Sequence, residues 1–216
     1  MQVFEQFDRI YCLNLEHRTD RRESAQKQFD EYGIKNVEFI NAIDGVKNEM
    51  KSIYKQITPG AMGAYRSHLM LVKKAYDSGA ESVFILEDDF RFEPGFKDFF
   101  AYQMHQLPYD WNFLYAGWAD FKGFEVAAAR KVNDWVCIPE EPYGLFAYAV
   151  RGRSFMMQLI DFWERRMDLM QRQVDEYLCF EMWPHSSAKM YALMPPLIWY
   201  NDMGTNIQTN KGYDTN

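Results

Sequence analysis

A short apolar run that ends in three carboxylates constrains this chain more than any other feature of its sequence. Residues 83–86, Val-Phe-Ile-Leu, have the pattern of a buried strand, and Glu87, Asp88 and Asp89 follow directly. Folding does not require adjacent acids beside a core, whereas a hard divalent cation binds carboxylate oxygens and shares them with a substrate phosphate. Ligands of open α/β sheets bind at the carboxyl ends of strands. The run predicts a metal and ligand site, with an acidic solvated turn as the alternative.

Strand and helix patterns alternate through the first half of the chain, which favours an α/β fold with a mixed, mostly parallel central sheet. The predicted strands are residues 9–15, 37–40, 83–86, 111–116, 126–138, 143–150 and 190–197. The predicted helices are residues 22–32, 58–77, 94–106 and 153–172, with a short helix or turn at 174–180. No repeat, linker or change of composition divides the 216 residues, so we expect one domain over 1–216 with a loosely held tail from about residue 205.

Charge and cysteine content narrow the class of protein. The net charge of −7 argues against a nucleic-acid binder that acts mainly through phosphate contacts. The three cysteines, Cys12, Cys137 and Cys179, form no CxxC pair and fit a reducing compartment. The first eight residues lack the basic start and the apolar stretch typical of a signal peptide, and no apolar run approaches membrane-spanning length. These features predict a soluble cytoplasmic protein, with peripheral membrane association left open.

Several segments, in order along the chain, match one set of motifs. They are residues 10–22 (IYCLNLEHRTDRR, against INLxxRxDRR), 60–68 (GAMGAYRSH, against GEIGCxxSH), 86–89 (LEDD), 144–150 (GLFAYAV, against GxxAYxI), 174–178 (VDEYL, against VDxxL), and the late segments 195–197 and 204–208 (against PPL and SDIQ). Through these motifs the chain resembles glycosyltransferase family 25, which includes lipooligosaccharide and collagen galactosyltransferases. The chain departs from the motifs at Ala61, Ala64 and the pair Thr205-Asn206.

The resemblance implies a single-domain, GT-A-type (Rossmann-like) nucleotide-sugar transferase fold and an enzyme. It implies a metal, Mn²⁺ or Mg²⁺, and a UDP-sugar donor, with galactose or glucose moved with inversion to a glycan, lipooligosaccharide or protein-linked acceptor. Two alternatives stay open. One is a catalytically weak carbohydrate-binding or glycan-assembly module of the same fold, suggested by the altered Thr205-Asn206. The other is a viral transferase that glycosylates a polymer such as modified DNA.

The carboxylates receive different expected roles in metal binding. Asp89 is the first choice as a direct metal ligand, because a divalent metal bridging the diphosphate acts as a Lewis acid. Glu87 is expected to contact the metal through water, or to contact the donor ribose. Asp88 is expected to support the donor site from behind, because side chains alternate along an extended chain. His185 and Asp202 are late metal candidates, with an ordinary surface histidine as the alternative for His185.

The donor is expected to contact residues that follow the first two strands. Guanidinium groups fork onto phosphate oxygens, and the family pattern implies that Arg18 and Arg21 face the donor. Asn14 and Leu15 are expected to form the floor of the nucleotide pocket. Asp44 is a further donor-binding candidate, with a plain turn as the alternative. The alternative for the arginines is a basic helix start.

An inverting transfer needs a base that takes the proton of the acceptor hydroxyl. Its place in the family motif makes Asp175 the candidate, with Glu176 in reserve; the alternative is an acidic helix start. His68 is expected to have a structural or supporting role. Trp118 and Trp183 are expected either to stack on sugar rings or to belong to the core.

Overall fold

The protein, described by a computed structural model over residues 4–119, 129–201 and 203, is built around an eight-stranded mixed sheet. The described strands are β1 (Arg9–Asn14), β2 (Val37–Asn41), β3 (Ser82–Glu87), β4 (Phe90–Phe92), β5 (Phe113–Ala119), β6 (Ala129–Lys131), β7 (Val136–Pro139), β8 (Tyr143–Arg151), β9 (Met190–Leu193) and β10 (Ile198–Tyr200). The described helices are α1 (Thr19–Tyr32), α2 (Pro59–Asp77), α3 (Phe96–His105), α4 (Arg153–Glu164) and α5 (Val174–Tyr177). A π-helical turn at Leu178–Met182 and a 3₁₀ turn at Trp183–His185 continue α5.

The large sheet has the strand order β2-β1-β3-β8-β5-β9-β7-β6. Strands β1, β2, β3, β5, β6 and β9 run in one direction, whereas β7 and β8 run in the opposite direction. This arrangement confirms the predicted α/β fold with a mixed, mostly parallel sheet. The shorter strands β4 and β10 form a separate antiparallel pair.

Alternation along β3 divides its side chains between two hydrophobic clusters, one on each face of the sheet. Val83 and Ile85 belong to the cluster that α2 and α4 cover, and Phe84 and Leu86 belong to the cluster that α1 and α3 cover. A strand that is buried on both faces reads as a continuous apolar run, which is the pattern seen in the sequence. The sheet is therefore the middle layer between two layers of helices.

The strand directions bring several strand ends to one edge of the sheet. β1, β2 and β3 run parallel, so their carboxyl ends share this edge, and the antiparallel β8 starts there because Leu86 pairs with Ala147. Asn14, Glu87 and the segment after Asn41 consequently lie near one another, although the sequence separates them widely.

The helix α2 has the start and end that its sequence predicts. Thr58 is its N-cap, and its hydroxyl oxygen accepts a hydrogen bond from the Ala61 N–H at 3.1 Å. Pro59 occupies the first turn, where a missing N–H is tolerated. Gly79, with φ +81°, follows the helix end. In the described ranges, no helix is both long enough and apolar enough to span a bilayer.

Some predicted elements were wrong in their extent. The helix predicted over 153–172 ends at Glu164; turns follow it, and Met170 is buried in the core. The region predicted as one strand over 126–138 is, from residue 129, the antiparallel pair of β6 and β7. The last predicted strand stops at Leu193, before Pro195 and Pro196, which have no N–H to donate. The tail predicted from about residue 205 lies outside the described residues.

Gly63 of α2 packs directly against the segment that follows β2. A Cβ at Gly63 would lie 2.3 Å from the Ile43 carbonyl oxygen and 2.7 Å from the Gly45 amide nitrogen. We expect Gly63→Ala to destabilise the protein by about 1–3 kcal/mol, although alanine is the better helix former, because backbone must move. Urea unfolding measures this loss. Lys73→Ala, an exposed change on the same helix, is the control and should stay within about 0.5 kcal/mol of the wild type. Equal midpoints for Gly63→Ala and Lys73→Ala would contradict the close approach.

Candidate functional site

A cavity of about 240 Å³ opens at the edge where β1, β2 and β3 end. Six of the residues predicted for the donor and metal site line it: Leu15, Arg21, Asp44, Glu87, Asp88 and Asp89. The rest of the wall comes from β1, from the loop that follows it, from the segment after β2 and from α2; these residues are Leu13, His17, Ala42, Ile43, Gly45, Val46, Gly60, Ala64 and Ser67. The cavity thus has an acidic end at β3 and an apolar end at the segment after β2, and we call it the strand-end pocket.

Asp88 is held from two sides. Its Oδ2 accepts a hydrogen bond from Asn14 Nδ2 at 2.6 Å, and its Oδ1 accepts one from Arg21 at 3.0 Å. The Asp88 side chain is 7 % exposed, and burial raises the pKa of its carboxyl, while the bonds from Asn14 and Arg21 act in the opposite direction. Both carboxylate oxygens of Asp88 are therefore engaged by groups of the protein itself.

Asp89 differs from Asp88 because one of its oxygens has no partner. Its Oδ2 lies 3.1 Å from the Arg21 guanidinium, whereas its buried Oδ1 has no hydrogen-bond partner among the described residues. Its backbone carbonyl accepts the N–H of Asn201. Burial, with the nearby charge of Glu87, raises the pKa of the Asp89 carboxyl from 3.8 to about 7. This buried oxygen is therefore not compensated by a hydrogen-bond donor among the described residues.

Arg21 is the basic group of the acidic end. It lies in the first turns of α1, directly after β1, and its side chain is 9 % exposed. Its Nη1 contacts both Asp88 and Asp89, at 3.0 and 3.1 Å. One guanidinium therefore shares its charge between two carboxylates that would otherwise repel each other.

Glu87, the last residue of β3, is bound to a histidine of α2. Glu87 Oε1 lies 3.0 Å from His68 Nε2, and His68 Nδ1 lies 3.0 Å from the Tyr148 hydroxyl. His68 and Tyr148 are both fully buried, while the Glu87 side chain is 24 % exposed toward the pocket. His68 thus has the supporting position that its sequence context suggests.

Two predicted donor-binding residues reach the pocket only indirectly. Asn14 donates to Asp88 and, at 3.0 Å, to the backbone carbonyl of Arg18. It therefore holds the Asp88 carboxylate from the side away from the pocket. Arg18 forms an ion pair with Asp20 at 2.8 Å and donates to the Met203 carbonyl. Neither side chain lines the strand-end pocket.

Asp44 organises the turn after β2. Its Oδ1 accepts the N–H groups of Val46 and Lys47 at 3.0 and 2.9 Å, and its Oδ2 lies 3.4 Å from His17 Nδ1. Asp44 therefore acts as a turn residue and also lines the pocket. A second cavity of about 890 Å³ adjoins the strand-end pocket along β2. Four residues, His17, Ala42, Ile43 and Asp44, line both cavities.

The two candidate bases occupy the start of α5. Asp175 Oδ2 accepts the N–H of Gly144 and Oδ1 accepts the N–H of Glu176, both at 3.0 Å. Burial raises the pKa of the Asp175 carboxyl, against the lowering effect of these bonds. Glu176 instead accepts the Gln173 N–H at 3.0 Å in a capping box. Because Gly144 lies in the first residues of β8, Asp175 is at the same sheet edge as Glu87, outside the wall of the strand-end pocket.

The remaining candidates lie apart from the acidic end or outside the described residues. His185 lines a separate surface cavity with α4 residues such as Gln158 and Asp161. Trp118 is fully buried and donates to the Leu193 carbonyl, and Trp183 donates to the Tyr115 hydroxyl within a core aromatic group. Asp202 lies outside the described residues.

Sequence reasoning missed the residues that shape the wall around Ile43. Ser67 donates to the Gly63 carbonyl at 2.7 Å and accepts the Ile43 N–H at 2.8 Å, which fixes the segment after β2 against α2. The signal available in the sequence was the neighbouring pair Ser67-His68, whose two side chains support two different walls of the pocket.

The donor set at the acidic end fits a hard divalent cation. Within residues 4–119, 129–201 and 203, no group of three His, Cys, Asp or Glu side chains is arranged to hold an ion by itself. Mg²⁺ and similar ions, however, commonly use one or two carboxylates together with substrate phosphates and water. The unpartnered Asp89 Oδ1 and the pocket-facing Glu87 are carboxylate groups of the kind that such an ion would use.

Comparisons with known proteins agree with this geometry. A sequence model described as "Glycosyltransferase family 25 (LPS biosynthesis protein)" matches residues 7–133. A "Glycosyltransferase 25 family member" of Aedes aegypti is 36 % identical over 104 residues, which cover 41 % of this chain and 17 % of that protein. Procollagen galactosyltransferase 1-B of Xenopus laevis is 30 % identical over 130 residues, which cover 51 % of this chain and 21 % of that protein. The chain therefore spans about a fifth of the length of these relatives.

A solved structure extends the comparison to the whole fold. The crystal structure of a glycosyltransferase involved in the glycosylation of the major capsid of PBCV-1 superposes with a TM-score of 0.56, at 8 % identity, over 91 % of this chain and 93 % of that chain. At this identity the likeness concerns the fold, and it confirms the predicted GT-A-type α/β architecture.

Proposed function

The chain belongs to glycosyltransferase family 25, a family of sugar-transferring enzymes, and from that membership we propose a metal-dependent, inverting hexosyltransferase. Its proposed donor is UDP-galactose or UDP-glucose. Its proposed acceptor is a glycan, a lipooligosaccharide or a protein-linked sugar or side chain. The relatives named above include a procollagen galactosyltransferase, which supports a galactosyl donor.

The observation that carries the proposal is the charge balance of the strand-end pocket. Among the described residues that line it, the carboxylates of Glu87, Asp88 and Asp89 outnumber the one guanidinium, that of Arg21. A diphosphate would be repelled from this excess of negative charge, whereas a divalent cation would be attracted to it. The cation would then provide the positive charge that the diphosphate needs.

Asp89, through Oδ1, and Glu87, through its second oxygen or a water molecule, are the proposed metal contacts. Bound there, Mn²⁺ or Mg²⁺ would act as a Lewis acid on the leaving diphosphate. Arg21 keeps Asp88 and Asp89 in place and adds positive charge next to the phosphates. Asp88 accepts a hydrogen bond from Arg21 and so orients its guanidinium, and Asn14 in turn holds Asp88.

The apolar end of the pocket supports a nucleoside as the other part of the donor. Leu15, Ile43 and Val46 line this end, and Asp44 offers carboxylate oxygens at its rim. Ligand sites of this kind combine apolar walls with a few placed polar groups. We place the ribose and the base between the acidic end and the adjoining cavity along β2.

Asp175 is the proposed base. It lies at the sheet edge that holds the pocket, and burial raises the pKa of its carboxyl, which makes it a better proton acceptor at neutral pH. We expect Asp175→Asn to lower kcat about 10²–10⁴-fold and to leave the Kd for UDP with Mn²⁺ unchanged. Glu176→Gln, which keeps the capping acceptor, is the matched control and should retain kcat. An Asp175→Asn variant with wild-type kcat would exclude this base.

Donor turnover in the presence and absence of metal tests the proposed function. UDP release from UDP-galactose and UDP-glucose is measured with Mn²⁺, with EDTA, and after Mn²⁺ is added back. We expect EDTA to lower the rate at least about 100-fold, because a Lewis acid contributes several kcal/mol to catalysis, and Mn²⁺ to restore it. An unchanged rate in EDTA would refute metal dependence. Binding of UDP and Mn²⁺ without any UDP release would favour the non-catalytic module.

We also propose a cytoplasmic location. Its support is that Cys12, Cys137 and Cys179 are all free and buried, as is usual where thiols stay reduced. The third possibility, a polymer such as modified DNA as acceptor, has no basic surface tract in the sequence to support it.

A further inference from the structure

We infer that His68 is a positioning residue for donor binding: together with Tyr148 it holds Glu87 so that one carboxylate oxygen faces the strand-end pocket. This inference rests on the proposed function, because it assigns a task in the same site. His68 itself does not line the pocket and would not touch the donor.

Three side chains, each from a different helix or strand, are linked in series. Tyr148 of β8, His68 of α2 and Glu87 of β3 are linked by two contacts of 3.0 Å. Tyr148 and His68 are fully buried, so water does not compete for these bonds. Of the two Glu87 oxygens, Oε1 is taken by His68, and Oε2 is the one left for a ligand.

One arrangement of protons makes both contacts of His68 hydrogen bonds. Burial raises the pKa of the Tyr148 phenol well above 10, so its hydroxyl keeps its proton at neutral pH. In the arrangement that we infer, that hydroxyl donates to His68 Nδ1 and the imidazole proton lies on Nε2. Nε2–H then donates to Glu87 Oε1. Both ring nitrogens of His68 then have a partner, while Glu87 Oε2 stays available to a ligand.

The position of Glu87 explains why such a support is needed. Glu87 precedes Asp88 and Asp89, and the like charges would drive its carboxylate away from the acidic end toward solvent. Arg21 contacts Asp88 and Asp89, and His68 supplies the hydrogen bond to Glu87. Partners behind a ligand-binding side chain commonly change affinity or activity about 10–100-fold when they are removed.

Two amide substitutions of similar size separate positioning from simple packing. In His68→Gln the side-chain amide reaches the place of Nε2 and can still donate to Glu87, whereas in His68→Asn it reaches only the place of Nδ1. We expect His68→Asn to raise the KM for the UDP-sugar and the Kd for UDP with Mn²⁺ about 10–100-fold, and His68→Gln to recover most of that loss. Thermal unfolding of both variants shows whether each is folded at the temperature of the assay.

A second pair of variants tests the Tyr148 end of this series. Tyr148→Phe removes the hydroxyl that fixes the His68 tautomer, and we expect it to raise the same KM about tenfold. Tyr65→Phe is the matched control: Tyr65 is equally buried, and its hydroxyl donates to the Trp163 carbonyl at 2.8 Å, away from the pocket. Tyr65→Phe should lower the unfolding temperature and leave KM unchanged.

The outcomes distinguish this inference from the proposed function. If His68→Asn and His68→Gln, both folded, show equal KM and Kd values, or if Tyr148→Phe has the KM of Tyr65→Phe, the positioning role is overturned. If the wild type itself neither binds UDP with Mn²⁺ nor releases UDP from a UDP-sugar, the proposed function has failed. A Kd that shifts only for His68→Asn and Tyr148→Phe supports the inference.

Discussion

Asp89→Asn is expected to abolish metal-dependent turnover and, at the same time, to stabilise the ligand-free protein above pH 7. Turnover should fall at least about 100-fold, because the amide removes the negative charge that holds the cation at the unpartnered Oδ1. The gain in stability follows from burial, which makes the ionised carboxylate unfavourable in the folded state.

The pH dependence of this gain has a definite sign. The pKa of the Asp89 carboxyl is raised from 3.8 to about 7 on folding. Between those values the folded protein keeps a proton that the unfolded chain has released, so the free energy of unfolding falls as pH rises through this window. The slope contributed by one such group is at most about 1.4 kcal/mol per pH unit, and it vanishes above the folded pKa, where both states are ionised.

Urea unfolding from pH 4 to pH 8, without metal and with Mn²⁺, measures this effect. Asp89→Asn should lack the slope that Asp89 contributes and should gain no stability from Mn²⁺ with UDP, whereas the wild type should gain it by mass action. Asp168→Asn, which changes an exposed carboxylate, is the control and should follow the wild type. An Asp89→Asn variant that keeps both its turnover and the wild-type pH slope would contradict the assignment.

Arg21→Met is expected to produce the largest loss of stability among the pocket variants. Its removal leaves the buried Asp88 carboxylate, and beside it Asp89, without their shared cation. Breaking a buried ion pair from one side typically destabilises by about 3–5 kcal/mol. The loss should be smaller at pH 5 than at pH 8, because burial raises the pKa of both carboxyls and protonation relieves the repulsion.

A double variant separates the charge effect from the loss of packing. Arg21→Met with Asp88→Asn should recover part of the stability and none of the donor binding, since the positive charge beside the diphosphate stays absent. Arg22→Met is the neighbouring control. Arg22 is exposed and its guanidinium lies 4.3 Å from the centre of the Phe39 ring, so we expect the free energy of unfolding to fall by about 1 kcal/mol or less. If Arg21→Met is as stable as Arg22→Met at pH 8, the ion-pair account fails.

The sequence predicted the helix ends and strands that depend on residues close together in the chain. The bounds of α2 followed from Thr58, Pro59 and the glycine at position 79, because caps and the proline ring act within one turn. The strand β3 and its acids followed from one apolar run. The short strands β4 and β10 were missed, because three residues carry too little pattern to be distinguished from a loop.

The interior of the site was less accessible to sequence reasoning, because its contacts join distant parts of the chain. The bonds between Asn14 and Asp88 and between Arg21 and Asp88 span 74 and 67 positions. The link between His68 and Glu87 joins a helix to a strand, and its partner Tyr148 comes from β8. Such contacts follow from the strand order, which local periodicity does not determine.

The position of β8 has a consequence for how the chain can be shortened. β8 lies between β3 and β5 and pairs with both strands. The middle of the sheet is therefore complete only when the chain includes β8, which ends at residue 151. The family-matched segment, residues 7–133, ends before this strand begins. Cut out by itself, it would expose two long, apolar strand edges at its centre, which is a template for aggregation. We therefore expect that residues 7–133 of this chain do not fold independently.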